Sequence, residues 1–294
     1  TPTEVVYRAV FENRVEVTRR YLVATPGDES RDPYRIRHET TFRNLTDITT
    51  PLPRATFSLG TTALVSANDF GQFLNVAAYD GNDAHYTDRG DLEGGGFLSW
   101  FGLKDGSPRP FIELPVTVSW AAIKNQFFAS IYSPDEAGTG IVTRRIELPP
   151  FPGTTRPNVG LTGAVRFEVP SLPPGGSTTL GGEFYVGPKE YTRLTKFEHN
   201  EDRVMQFDRY FFNRMLFSGY VAPFMNTLMN WTHSWTGNWG VAIVLMTLIL
   251  KIVTLPFTLA ASRSAKRMQK LQPLMKEVRE KYKDDPTKLN QATI

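Results

Sequence analysis

Residues 239–260 read WGVAIVLMTLILKIVTLPFTLA, from Trp239 to Ala260, and Lys251 is the one strongly polar side chain among them. About 22 residues make roughly 33 Å of helix, enough to cross a hydrocarbon core of about 30 Å. The stretch predicts a transmembrane helix, bounded at residues 239–261. The competing reading is the buried core helix of a soluble domain, which rarely needs so long an uninterrupted apolar run. Pro256 lies near the end of the run, where spanning helices tolerate a proline.

Lys251 stands about nine residues, or roughly 13 Å, from the C-terminal end of the run, while its stem reaches roughly 6 Å. A charge at mid-bilayer costs about 2.5–3.5 kcal/mol on insertion scales. Two resolutions stay open on these residues alone. Either Lys251 is an anchor that snorkels through a thinned bilayer, or a wet polar recess reaches its ammonium.

The flanks set the orientation. Gly219 to Asn238 holds no lysine or arginine, whereas Ser262 to Lys283 holds Arg263, Lys266, Arg267, Lys270, Lys276, Arg279, Lys281 and Lys283. The positive-inside bias therefore predicts a cytoplasmic C-terminal side and an extracytoplasmic N-terminal side. In the basic segment Met268, Leu271, Met275, Val278 and Tyr282 follow a 3-4-3-4 spacing, the seam of a coiled-coil-like helix that Pro273 interrupts. Asp284-Asp285-Pro286 predicts a turn into a second helix, so residues 262–294 form a helical hairpin whose return arm is cut short at Ile294.

Upstream, residues 207–238 are rich in aromatics. Pro223 can start a helix whose stripe is Phe224, Leu228, Trp231 and Trp235, widened by Met225 and Met229. Such a face suits a helix lying in the membrane interface, with Trp231, Trp235 and Trp239 as anchors. An amphipathic helix packed on the preceding domain is the alternative. Residues 188–206 read as a connecting helix or linker, with Pro188 in a first turn and Tyr191, Leu194 and Phe197 at three-residue spacing.

Residues 1–187 read as β throughout. Short β-branched and aromatic runs recur at Val5–Phe11, Val15–Val23, Tyr34–Phe42, Ala55–Leu59, Ile112–Trp120, Phe127–Tyr132, Ile141–Leu148, Ala164–Val169 and Thr178–Val186. Proline and glycine clusters at Pro149–Gly153 and Leu172–Gly176 break them. The expected fold class is one large antiparallel β-sandwich of roughly 180 residues, followed by the α-helical membrane segment and hairpin.

Composition narrows the chemistry. A mean hydropathy of −0.29 confines the apolar part to one region, and a net charge of +3 is too small to call for specific DNA binding. Cysteine is absent, which removes disulfides, thiolate catalysis and Cys-ligated zinc. His38, His85, His199 and His233 show no metal-ligand spacing, Asp91–Gly96 lacks the Gly-Lys of a phosphate loop, and no nucleophile elbow is present. The expectation is a protein that is not an enzyme and uses no cofactor or metal. Thr1 onward has no export signal, so the sequence is expected to begin partway into a longer protein.

Four motifs carry a resemblance. Phe184-Tyr185-Val186-Gly187-Pro188-Lys189, the Trp231–Gly240 stretch with its Gly-Asn-Trp-Gly, and Leu271-Gln272-Pro273 followed by Arg279-Glu280-Lys281-Tyr282 and Asp284-Asp285 resemble the YidC family of bacterial membrane protein insertases. Val118–Pro134, with Trp120, Phe127, Phe128 and Pro134, is similar to a strand pair of that family's periplasmic domain. The likeness is dense from Phe184 to Leu289. It implies a Gram-negative type with a periplasmic β-sandwich shaped like sugar mutarotases, an interfacial helix, and five core spans around a hydrophilic groove in the inner membrane. It implies that Lys251 is the basic groove residue that meets substrate, and that Arg263, Lys266, Arg267, Lys270 and Arg279 belong to an interacting cytoplasmic loop. The implied partners are nascent membrane proteins, the ribosome, the Sec translocon and the phospholipid bilayer.

Two departures stand out. Many Gram-negative members carry arginine where Lys251 stands, so a planar fork gives way to a point charge. The N-terminal anchor and four further core spans expected of the family are not in this sequence. The rival reading is a membrane-anchored periplasmic sandwich that binds carbohydrate or serves as a scaffold, with the span as a tether.

Overall fold

The computed structural model describes residues 3–23, 32–52, 54–94, 107–155 and 158–281. They divide into two compact units between Gln206 and Phe207.

The first unit is built from antiparallel strands: β1 Glu4–Phe11, β2 Val15–Val23, β3 Arg35–Asn44, β4 Ala55–Thr62, β5 Asn75–Tyr79, β6 Ala84–Asp88, β7 Phe111–Leu114, β8 Trp120–Lys124, β9 Phe128–Pro134, β10 Gly140–Leu148, β11 Asn158–Phe167 and β12 Ser177–Pro188. One sheet has eight strands in the order β1-β2-β3-β12-β9-β8-β5-β6, and the other has four in the order β4-β11-β10-β7. The expected two-layer sandwich is what the chain adopts. Its main core lies between the sheets, where Val76, Ile123, Tyr132 and Phe184 of one face Phe57, Leu161 and Val165 of the other.

The eight-stranded sheet also buries its outer face. Tyr79, Trp120, Ala129, Ile131 and Tyr185 pack there against Leu194 and Val204. The cover is the strap 189–206, which holds a single helical turn at Tyr191–Leu194 and a 3₁₀ turn at Glu201–Met205. Side chains of the sheet grip the strap's backbone. Trp120 Nε1 donates to the His199 carbonyl at 2.9 Å, and Lys124 Nζ donates to the Val204 carbonyl at 2.6 Å. The buried Glu201 carboxylate accepts from Ser133 Oγ at 3.0 Å and from the His199 amide at 2.8 Å.

Several expectations are corrected here. Ile112–Trp120 is two strands in different sheets, because Pro115 offers no N–H to continue the ladder. Pro188 ends β12 opposite Phe128 instead of opening a helix, a terminal position where a missing donor costs little. The helix expected through Phe197 stops after one turn at Leu194. Strands β5 and β6, and the short helix α1 at Arg89–Glu93, have no counterpart in the sequence reading. Asp91 belongs to that helix, and its carboxylate accepts from the Asp88 amide at 3.0 Å.

The second unit is helical. It contains α2 Phe211–Met215, α3 Ser218–Thr236 and α4 Trp239–Lys281. Helix α3 begins five residues before Pro223, and α4 runs without a break through both Pro256 and Pro273. Good helix formers on both sides of Pro273 outweigh the one backbone bond it removes. The turn expected at Asp284–Pro286 and the return helix lie outside the described residues.

Candidate functional site: the polar stripe of the apolar helix

A tight corner sets the site. Gly237 takes a left-handed φ of +62° and returns its N–H to the His233 carbonyl at 2.8 Å, the usual glycine stop of a helix. Asn238 then caps the next helix, its Oδ1 accepting from the Gly240 amide at 2.8 Å and the Val241 amide at 3.3 Å. α3 and α4 thus pack as a helical hairpin, with Thr232 and Ala242 buried at the contact. His233 and Trp239 stack across the corner with ring centroids 3.7 Å apart.

The predicted interfacial anchors come together around this corner. Trp231 and Trp235 sit on α3 with ring centroids 4.7 Å apart, and Trp239 opens α4. Phe224, Trp231 and Trp235 are exposed, Trp235 at 76%. Met225 and Met229 do not widen that exposed stripe; they are half-buried, on the side of α3 that carries Thr232.

Helix α4 is, among the described residues, the helix long and apolar enough to cross a membrane, over Trp239–Pro273. Lys251 is exposed, twelve residues after Trp239, or roughly 18 Å along the axis at helical rise. Thr247, Lys251, Thr254 and Thr258 fall at i, i+4, i+7 and i+11, which places them on one face. The threonine hydroxyls donate to the helix's own carbonyls: Thr247 to Ile243 at 2.8 Å, Thr254 to Leu250 at 2.7 Å, and Thr258 to Thr254 at 3.0 Å. Their protons are thereby used, and the oxygens remain as acceptors beside one strong donor. The rest of the circumference carries exposed Ile252, Val253, Leu255, Phe257 and Leu259. The sequence reading singled out Lys251 and missed the threonines, although their helical spacing was there to be counted.

Beyond Ser262, Arg263, Lys266, Arg267 and Lys270 fall at i, i+3, i+4 and i+7, again one face, and Arg263, Lys266 and Arg267 are exposed. Arg279 lies on the last turns of the same helix. In the β unit, a cleft of about 710 Å³ opens among Tyr34, Leu64, Ile123, Phe128, Val186 and Pro188, and among the described residues no charged one lines it.

Comparison with known proteins now bears on this arrangement. The family model described as the YidC periplasmic domain matches residues 30–218, and that described as the 60Kd inner membrane protein matches residues 231–294. The membrane protein insertase YidC of Syntrophobacter fumaroxidans is 32% identical over 68% of this chain and 33% of its own length. Those of Chlorobaculum parvum and Prosthecochloris aestuarii are 30% and 29% identical, over 67% and 76% of this chain and 31% and 37% of theirs. The chain spans about a third of the length of these relatives. A putative aldose 1-epimerase of Escherichia coli K12 aligns over 63% of this chain and 65% of its own at 13% identity, with a TM-score of 0.32 that carries no argument. On the two family matches, which together take in both the sandwich and the apolar helix, the chain belongs to the YidC family of membrane protein insertases.

Proposed function

We propose that this chain is the periplasmic β domain, the interfacial hairpin and the first groove-lining span of an inner-membrane insertase. The β unit lies outside the cytoplasm and the basic end of α4 lies inside it. One observation carries the reading. The polar residues of an otherwise apolar span, Lys251 with Thr247, Thr254 and Thr258, share a single face. A snorkelling anchor needs one lysine and no aligned acceptors. A wet recess needs both.

The mechanism follows from solvation. Hydrophilic ends of a nascent membrane protein are costly to carry across hydrocarbon, and a recess partway across shortens the dry distance. Lys251 supplies positive charge where the low dielectric makes it strongest, so acidic tails are drawn in. The threonine oxygens accept from backbone N–H groups of the passing segment. The substrate's apolar stretch then partitions sideways into lipid, which supplies the driving force without any covalent step. The aromatic face of α3 beds in the headgroup region and holds the hairpin at the right depth. The cationic face from Arg263 to Lys270, with Arg279 further along, meets the cytoplasmic partners: the ribosome, the Sec translocon and anionic headgroups.

The test is insertion by the full-length protein. Lys251→Leu is expected to lower insertion of substrates with acidic translocated tails at least ten-fold, while Lys251→Arg retains it. Equal insertion by all three forms across a panel of such substrates would overturn the role.

A further inference from the structure

β1 closes one end of the eight-stranded sheet, and among the described residues β2 is its strand neighbour on one side with none on the other. Free edges are templates for another chain, so proteins usually blunt them by short length, charge, proline or a bulge. The other three edges obey. β7 is four residues long and is followed by Pro115. β6 is five residues long and ends on Asp88. β4 carries Gly60 at φ +100°, beside a shift in its register with β11.

β1 lacks the short length, the proline and the bulge. It runs eight exposed residues in unbroken register with β2 and contains no proline. Its two charges are engaged by β2, where Arg20 donates to Glu4 at 2.6 Å and Glu16 pairs with Arg8. What remains is Val6 and Val10 on one face and Val5, Tyr7 and Phe11 on the other, with Tyr7 62% and Phe11 60% exposed.

We propose that β1 is a strand-addition site for an extended, uncharged segment of another polypeptide, rich in β-branched and aromatic residues. Area argues for a single segment over a second copy of this chain. Pairing of two β1 edges covers a strip roughly 27 Å long and roughly 10 Å deep, about 540 Å² over both partners. A stable interface between folded proteins buries roughly 1,200 Å² or more. An extended peptide needs only the strip, since backbone bonds give affinity and alternate side chains give preference. Charge agrees with area: Glu4 and Arg8 are already ion-paired with Arg20 and Glu16 of β2, so the edge offers a partner no unpaired counter-ion. This site stands apart from the role of Lys251 and survives its failure.

The probe is an end-capped, labelled octapeptide of alternating valine and threonine, titrated by fluorescence anisotropy with the full chain in detergent micelles. Saturable binding is expected, weakened at least ten-fold by Val6→Lys combined with Val10→Lys. Both side chains are exposed, so unchanged far-UV circular dichroism is expected of the variant. The same peptide with every internal amide N-methylated is expected to bind at least ten-fold more weakly, an arm that needs no variant. Absence of binding, or binding indifferent to both changes, overturns the proposal. So does self-association of the chain that the lysine pair abolishes and the peptide cannot compete, because the occupant is then a second copy.

Discussion

His38 has no solvent exposure and sits among the rings of Phe57, at 4.0 Å between centroids, and Tyr21, at 5.0 Å, with Tyr132 and Phe184 beyond. Its Nε2 meets Thr40 Oγ1 at 2.9 Å, and its Nδ1 has no protein partner. Burial, and then the charges of Arg19 and Arg37, push its pKa down to about 4. The unfolded chain takes up that proton near pH 6.5, so the native state is the poorer proton binder between the two values. Its contribution is therefore complete above about pH 6.5 and is lost as pH falls toward 4, by at most about 3 kcal/mol. Near-UV circular dichroism melts of the full chain should show this loss, and His38→Leu should flatten it. Nothing local in the sequence marks His38, because its environment comes from strands far apart in the chain. Lys251 is the opposite case: a charge inside an apolar run is visible without any fold.

At the scale of elements, the α3–α4 corner was legible and its neighbours were less so. Gly237-Asn238 is a helix stop followed by a helix start, and both residues act as their chemistry dictates. Asn238→Ala should cost about 1 kcal/mol of local stability, which is roughly five-fold faster hydrogen exchange at the Gly240 and Val241 amides. Asn238→Asp should restore the protection, since a carboxylate caps as well. Strand β5 escaped detection for a different reason. Asn75-Val76-Ala77-Ala78-Tyr79 is buried on both faces of the sheet, so the alternation that marks a half-buried strand is missing. β8, Trp120 to Lys124, is buried in the same way, and its true partners lie in a sheet that the sequence does not announce. Pro223 and Pro273 invited helix boundaries that the chain does not take, and at Pro273 the surrounding helix formers override the proline.

At the scale of the molecule, the strap 189–206 decides how the β unit is finished. It covers the second apolar face and is held by backbone carbonyls and amides, contacts to which side-chain patterning is blind. Glu201→Leu keeps roughly the volume but leaves the buried His199 amide and Ser133 hydroxyl without their acceptor, which costs about 1–3 kcal/mol for the unpaired groups. Trypsin cleavage at Lys196 and Arg203 should then speed up about ten-fold while the sheets stay protected; an unchanged rate would show that the strap is held by apolar packing alone. By itself the sequence determined the β class of the first unit, the apolar span, the placement of Lys251, the helix corner and the basic flank. All of these are written in local periodicity, charge or turn chemistry. Tertiary structure alone decided the strand order, the doubly buried sheet, the strap that covers it, the desolvated His38 and the unguarded edge at β1. Each of those depends on which distant residues become neighbours, and pairing across long sequence separations leaves no local mark.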